Sequence, residues 1–195
     1  MEEQNKLFNP TQLFSREEIL AKPSPVPRAA GVYAWYFKEV PPFVVTENCY
    51  RYGEYTLLYV GISPKAPPIN GGKPSSQSLW HRIRYHYRGN AEGSTLRLTL
   101  GCLLSTSLNI QLRRVRSGKT ATFVQGEAIL SDWMAKNAFV TWCEHPAPWL
   151  LEEELIKQVS LPLNLDQNSY HPFCSTLKQI RQAAKNTARE LPILV

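Results

Sequence analysis

The chain reads as an α+β domain with short antiparallel strands, because brief β-branched and aromatic runs alternate with longer helical patterns. Gly31-Val32-Tyr33-Ala34-Trp35-Tyr36-Phe37, Thr56-Leu57-Leu58-Tyr59-Val60-Gly61 and Phe139-Val140-Thr141-Trp142 carry the strand pattern. Helical patterns cover 77–88, 94–104, 127–136, 148–160 and 173–190. No internal repeat or low-complexity tract interrupts this order.

Each element has its own signal. Residues 1–28 form a lead-in in which Pro23, Pro25 and Pro27 block regular helix. The remainder, 29–195, is read as one domain, a size consistent with 195 residues. Pro41 and Pro42 end the first strand, and 43–55 is a loop or short excursion. The stretch from Pro64 to Ser78 holds four prolines and two glycines, so a surface loop is expected there. Gly89-Asn90 stops the helix over 77–88, and Ser94 is an N-cap for the next. Residues 108–124 suggest strand and hairpin with Ser117-Gly118 at the turn. Pro148 opens a helix at its first position, and Leu161-Pro162-Leu163-Asn164 closes it.

Composition excludes several classes. Hydrophobic residues make up 43% and charged residues 19%, enough for a core and too few charges for wholesale disorder. No apolar run approaches the roughly 18 residues of a membrane span. The polar, acidic N-terminus is unlike a secretory signal, so a cytoplasmic protein is expected. Cys49, Cys102, Cys143 and Cys174 are scattered, which argues against structural zinc and against a disulfide framework. The net charge of +6 favours contact with a polyanion. Basic residues cluster at Arg82, Arg84 and Arg88, at Arg113, Arg114, Arg116 and Lys119, and at Lys178, Arg181, Lys185 and Arg189.

Two helices carry candidate chemistry. At about 100° per residue, Leu79, Ile83 and Tyr87 share one face, with Arg82 and His86 on its edge and Arg84 and Arg88 turned towards solvent. Arg82 is therefore either a rim arginine over the core or a phosphate clamp. On the helix from Pro148, Glu152 falls within the apolar arc of Leu151, Leu155, Ile156 and Val159, whereas Glu153 and Glu154 fall outside it. A carboxylate there needs a raised pKa, an arginine partner or a bound cation. The tryptophans are read as core rather than as base-stacking platforms.

Gly31-Val32-Tyr33, Tyr59-Val60-Gly61, the helix with Leu79-x-x-Arg82-Ile83-x-x-His86, and Glu152-x-x-Leu155-Ile156 followed by Asn164 resemble the GIY-YIG nuclease family. All four stand in the family's order. The resemblance implies the GIY-YIG fold: a central three-stranded antiparallel sheet flanked by helices, here with an inserted loop and an additional C-terminal helix. It implies Mg²⁺ or Mn²⁺ as cofactor and a metal-dependent endonuclease acting on nucleic acid, DNA in the first place. Tyr33 and Tyr59 match the motif tyrosines, Arg82 the helix arginine, His86 the residue one turn on, Glu152 the metal-binding glutamate and Asn164 the late asparagine. Arg84, Arg88, Arg113, Arg114, Arg116 and Lys119 are then expected to bind flanking phosphates. A non-cleaving binding module, a nuclease for structured RNA, and either a monomer or a homodimer remain open. The chain departs from the family in having Ile62 where lysine often follows the second motif, and 25 residues between the two tyrosines.

Overall fold

The structure is a computed structural model. It describes residues 2–69, 72–73 and 75–194, with side chains from residue 5 onward. Asn70, Gly71 and Pro74 of the expected surface loop lie outside the described residues.

The sheet is built around β1, Gly31–Phe37, whose seven residues are all buried. β1 pairs antiparallel with β3, Tyr55–Ser63, on one side and with β6, Ala138–Glu144, on the other. A two-residue strand β2, Arg51–Tyr52, adds to the outer side of β3, so the order is β2-β3-β1-β6. The sheet thus has four strands rather than three. The extra strand comes from the segment after Pro42, where Gly53 at φ +59° turns the chain straight back into β3.

Period-two alternation in β1 feeds two hydrophobic clusters. Tyr33, Trp35 and Phe37 face one of them, together with α3 (Leu79–Arg88), α4 (Thr95–Leu103), α5 (Gly126–Asn137) and α7 (Cys174–Glu190). Val32, Ala34 and Tyr36 face the other, with Leu7 of α1 (Glu2–Phe8) and Leu151, Leu155 and Ile156 of α6 (Pro148–Gln158). The 113–122 hairpin consists of β4, Arg113–Val115, and β5, Thr120–Thr122, turning at Gly118 with φ +78°.

The lead-in is more ordered than its prolines suggest. It contains α1 and also α2, Arg16–Leu20, whose Ser15 and Glu18 form a reciprocal capping box. Phe14 exchanges both backbone hydrogen bonds with Val140, covering the outer side of β6.

Two local features set the position of the site. Opposite β1, the register steps from Trp35↔Tyr59 to Tyr36↔Leu57, leaving Leu58 as an extra bulged residue. Leu58 and Tyr59 therefore both serve the α3 face, although they are consecutive. The far side of β3 is closed by the segment following α6. Leu163 N–H donates to Leu58 O at 3.1 Å. That segment passes from one cluster at Leu161 to the other at Leu163, carrying chain around the sheet edge.

Candidate active site

Tyr33 and Tyr59 come from neighbouring antiparallel strands and share the α3 face. Tyr33 lies directly opposite Gly61. A Cβ at Gly61 would sit 2.5 Å from the Tyr33 hydroxyl oxygen, so the glycine leaves the space across which the phenol lies. Helix α3 then brings His86 beneath the tyrosines. The imidazole is fully buried. Its Nε2 is 2.9 Å from the Tyr33 hydroxyl, and its Nδ1 is 2.7 Å from Ser94 Oγ. Ser94 Oγ also accepts from Arg97 N–H as the N-cap of α4. His86 was expected at the boundary of core and water; it is inside, against the cleft residues Tyr33 and Tyr59.

Arg82 stays at the rim, half-buried, and its Nη1 donates to Gly93 O at 2.8 Å. This bond holds the guanidinium at the cleft, which Gly93 also lines. Burial works against its charge, but Tyr33, Tyr59 and Tyr85 outweigh that effect and strengthen its hold on the proton.

On α6, Glu152 is half-buried on the apolar arc and has no ion-pair partner among the described residues. Of the three compensations open to it, an arginine partner is absent. Burial, then the nearby charge of Asp166, push its carboxyl up to about 7, with Lys65 acting in the opposite direction. Glu153, by contrast, is exposed and paired with Lys157 at 2.7 Å. Asn164 is buried beside β3. Its Nδ2 donates to Val60 O at 2.9 Å and its Oδ1 accepts from Val60 N–H at 3.0 Å. The amide thus imitates a strand partner and fixes the backbone next to Tyr59.

Tyr33, Tyr59, Arg82, Glu152 and Asn164 all line one cleft of ≈ 730 Å³. Its electrostatics are polarised. Burial raises Tyr33 to about 12, against the opposing pull of Arg82. Burial, reinforced by Tyr33, raises Tyr59 well above 10, again with Arg82 opposing. Burial, then the charges of Arg82 and Arg97, hold His86 well below 6.5, so the ring is neutral at pH 7.

Several cleft residues escaped the sequence reading, among them Asp166, Lys65 and half-buried Trp149, which was read as core. Asp166 lines the cleft two residues beyond Asn164, and Lys65 lines it just beyond β3. Asp166 lies just past the Leu161-Pro162-Leu163-Asn164 segment that closes the helix from Pro148. Lys65 had no signal, because it sits in the proline-rich loop. Beneath the site, fully buried Arg97 reaches Glu127 through Nε at 3.0 Å and Nη2 at 2.7 Å, and the His86 carbonyl through Nη1 at 3.2 Å. This pair ties α4 to α3 and α5.

The expected phosphate-binding residues divide. Arg84 does not face solvent: it is 7% exposed, donates to Ile19 O at 2.6 Å and lies over Trp80. The arrival of α2 against α3 buries it. Arg113 and Arg114 donate to the carbonyls of Pro192, Ala188, Arg189 and Leu191, anchoring the end of α7 and the chain after it. Arg116 is exposed but paired with Glu92 at 3.1 Å. Arg88 is exposed at the end of α3, and Lys119 lines a groove beside α7.

The donor chemistry fits a hard divalent cation. Glu152 and Asp166 offer carboxylate oxygens in one cleft, and neither is ion-paired among the described residues. No group of three or more His, Cys, Asp or Glu side chains gathers there among the described residues. The protein would therefore supply one or two ligands and leave the rest to water and phosphate, as Mg²⁺ sites commonly do.

Two tyrosines, an arginine and a glutamate, from two strands and two helices of one α+β domain, thus line a single cleft. The GIY-YIG catalytic domain model matches residues 31–183, and the chain belongs to that family, whose nucleases generally use divalent metal ions. No curated protein and no solved structure shows significant similarity to it. No helix among the described residues is long and apolar enough to cross a membrane.

Proposed function

We propose that the protein is a metal-dependent endonuclease that hydrolyses phosphodiester bonds in nucleic acid, with DNA as the substrate. The observation that carries this reading is the convergence of Tyr33, Tyr59, Arg82 and Glu152 on one cleft. These four side chains from two strands and two helices all line the same open space.

Phosphodiester hydrolysis needs a positioned water, neutralisation of charge on the phosphoryl oxygens and help for the leaving oxygen. Arg82, held by Gly93 O, binds the non-bridging oxygens, and its planar fork of donors suits them. Glu152, with Asp166 lining the same cleft, would hold the divalent ion. When bound, that ion supplies charge neutralisation and lowers the pKa of water. Tyr59 orients the attacking water. Its burial keeps the phenol protonated at rest, so it acts as base only after passing that proton to solvent water in the cleft, a loss that positive charge there favours. Tyr33 and His86 act as a positioning pair, with the neutral ring fixing the phenol through a 2.9 Å hydrogen bond. The water oxygen bonds to phosphorus as its proton passes to the Tyr59 phenolate, the bond to the leaving oxygen breaks, and that oxygen takes up a proton from solvent water.

The test uses supercoiled plasmid, branched DNA and structured RNA, each with Mg²⁺, with Mn²⁺ or with chelator, alongside Glu152→Ala and Arg82→Ala. The proposal expects metal-dependent nicking of DNA, lost in both variants while binding persists. Binding without cutting under every metal would mark a non-cleaving module. Cutting confined to RNA would overturn the DNA assignment.

A further inference from the structure

Helix α7 carries a charge pattern that the catalytic cleft does not use. Lys178, Arg181, Lys185 and Arg189 fall within an arc of about 80° at 100° per residue. The buried side of the same helix is formed by Leu177 and Ala188, with Ile180 and Ala184 packed beside them, so the basic stripe runs along the edge of the packed face. Lys178 and Arg189 are exposed, and Arg181 and Lys185 are half-buried. No ion pair engages any of the four among the described residues. Arg189 donates only to the Asn186 amide. Gln179 and Gln182 add neutral donors beside them.

The stripe is continuous with the site. Lys178, Arg181 and Lys185 line a groove whose other wall is Thr95, Leu165, Asp166 and Gln167, and those four residues also line the catalytic cleft. Lys185 and Arg189 continue into the next groove, beside Lys119. The carboxylates facing this path are Asp166, at the junction with the cleft, and Glu92, already neutralised by Arg116. From Lys178 to Arg189 the helix rises about 16 Å, the axial length of about five nucleotides in one strand of a duplex.

We propose that this face of α7 is the track for the sugar–phosphate backbone of the substrate as it leaves the scissile position. This rests on the nuclease reading for the identity of the occupant, and it moves the main flanking contact from the 113–119 hairpin to α7. The hairpin arginines Arg113 and Arg114 are engaged by carbonyls at the chain end. The α7 cations have no such partners. They would contact phosphates without reading bases, so the track gives affinity and direction but no sequence preference.

The test measures binding by the full chain carrying Glu152→Gln, in chelator, so that cutting plays no part. The probes are a labelled duplex DNA of about 20 base pairs and a single-stranded RNA of the same length, titrated between roughly 50 and 200 mM salt. Replacing Lys178, Arg181 and Lys185 by Ala is expected to flatten the slope of log K against log salt by about 2.7 on duplex and about 2.1 on the single strand. Affinity near 0.1 M salt should fall at least about tenfold. A control removes the same charge elsewhere, with Lys22, Arg51 and Lys136 replaced by Ala; these are exposed and line neither cleft nor groove. It should leave the slope within about 0.5 of the parent, since distant charges release no counterions at the interface. Conversely, Gln182→Lys should steepen the slope by about 0.9 on duplex. An unchanged slope in the α7 triple variant, an equal loss in the control, or no binding to either probe would overturn the proposal. A parent protein that binds along this track yet never cuts would sink the nuclease reading and leave the track standing.

Discussion

Glu152→Gln should make the protein more stable at alkaline pH, an uncommon direction for a change at a candidate catalytic residue. The carboxyl sits on the apolar arc of α6 with no ion-pair partner among the described residues, and burial followed by Asp166 moves its pKa from 4.5 to about 7. At about 1.4 kcal/mol per pKa unit, ionising it in the folded state costs at most about 3.5 kcal/mol more than in the unfolded chain, an upper bound because water reaches part of the group. The folded pKa lies above the unfolded one, so the unfolded chain binds fewer protons between them. Stability is therefore greatest below about pH 4.5 and is lost as pH climbs through 7. Glutamine keeps the shape and cannot ionise. Urea unfolding in EDTA should find the variant about 2–3 kcal/mol more stable than the parent at pH 8.5 and equal to it near pH 4.5. Adding Mg²⁺ at pH 8.5 should narrow the gap by stabilising only the parent. A difference that is the same at both pH values would refute the reasoning, because it would mean that the carboxylate is not strained by its surroundings.

Other consequences follow from single contacts. Asn164→Ala removes both bonds to Val60 and leaves buried backbone groups unpaired, so denaturant unfolding should register a loss of about 1–3 kcal/mol. Gly61→Ala places a methyl 2.5 Å from the Tyr33 hydroxyl; circular dichroism should stay native while cleavage falls by about tenfold or more, since small displacements of positioned groups are costly. Arg97→Ala leaves Glu127 without its buried partner and should cost about 3–5 kcal/mol in urea unfolding, whereas changing both residues to apolar ones should cost less.

Much of the architecture was readable because its signals are local. The strand at 31–37, the Ser94 cap, the proline that opens α6 and the hairpin turn at Ser117-Gly118 each depend on a few adjacent residues, and each appears where those residues stand. Helix periodicity also placed Leu79, Ile83 and Tyr87 in the core and Glu152 on an apolar arc. What escaped depends on long-range packing. β2 forms because Gly53 folds a short polar segment onto β3, and a two-residue strand has no periodicity to detect. Arg84 carries the same charge as its exposed neighbour Arg88, and only the docking of α2, sixty-five residues away at Ile19, buries it. His86 was placed at a boundary because α3 in isolation has one; the α4 N-cap at Ser94 then covers it. Asp166 and Lys65 reach the cleft through loop paths around the β3 edge, and loop paths leave no pattern in composition.

The most direct measurement of the central claim is a crystal structure with Mn²⁺ and a phosphorothioate DNA that resists cleavage, with anomalous scattering recorded at the manganese edge. The account predicts one metal peak within coordination distance of the Glu152 carboxylate, bridging to a backbone phosphate that Arg82 also contacts, with the Tyr59 hydroxyl on the side from which water would attack. A metal and phosphate bound elsewhere, with the cleft between Tyr59, Arg82 and Glu152 left to solvent, would contradict it.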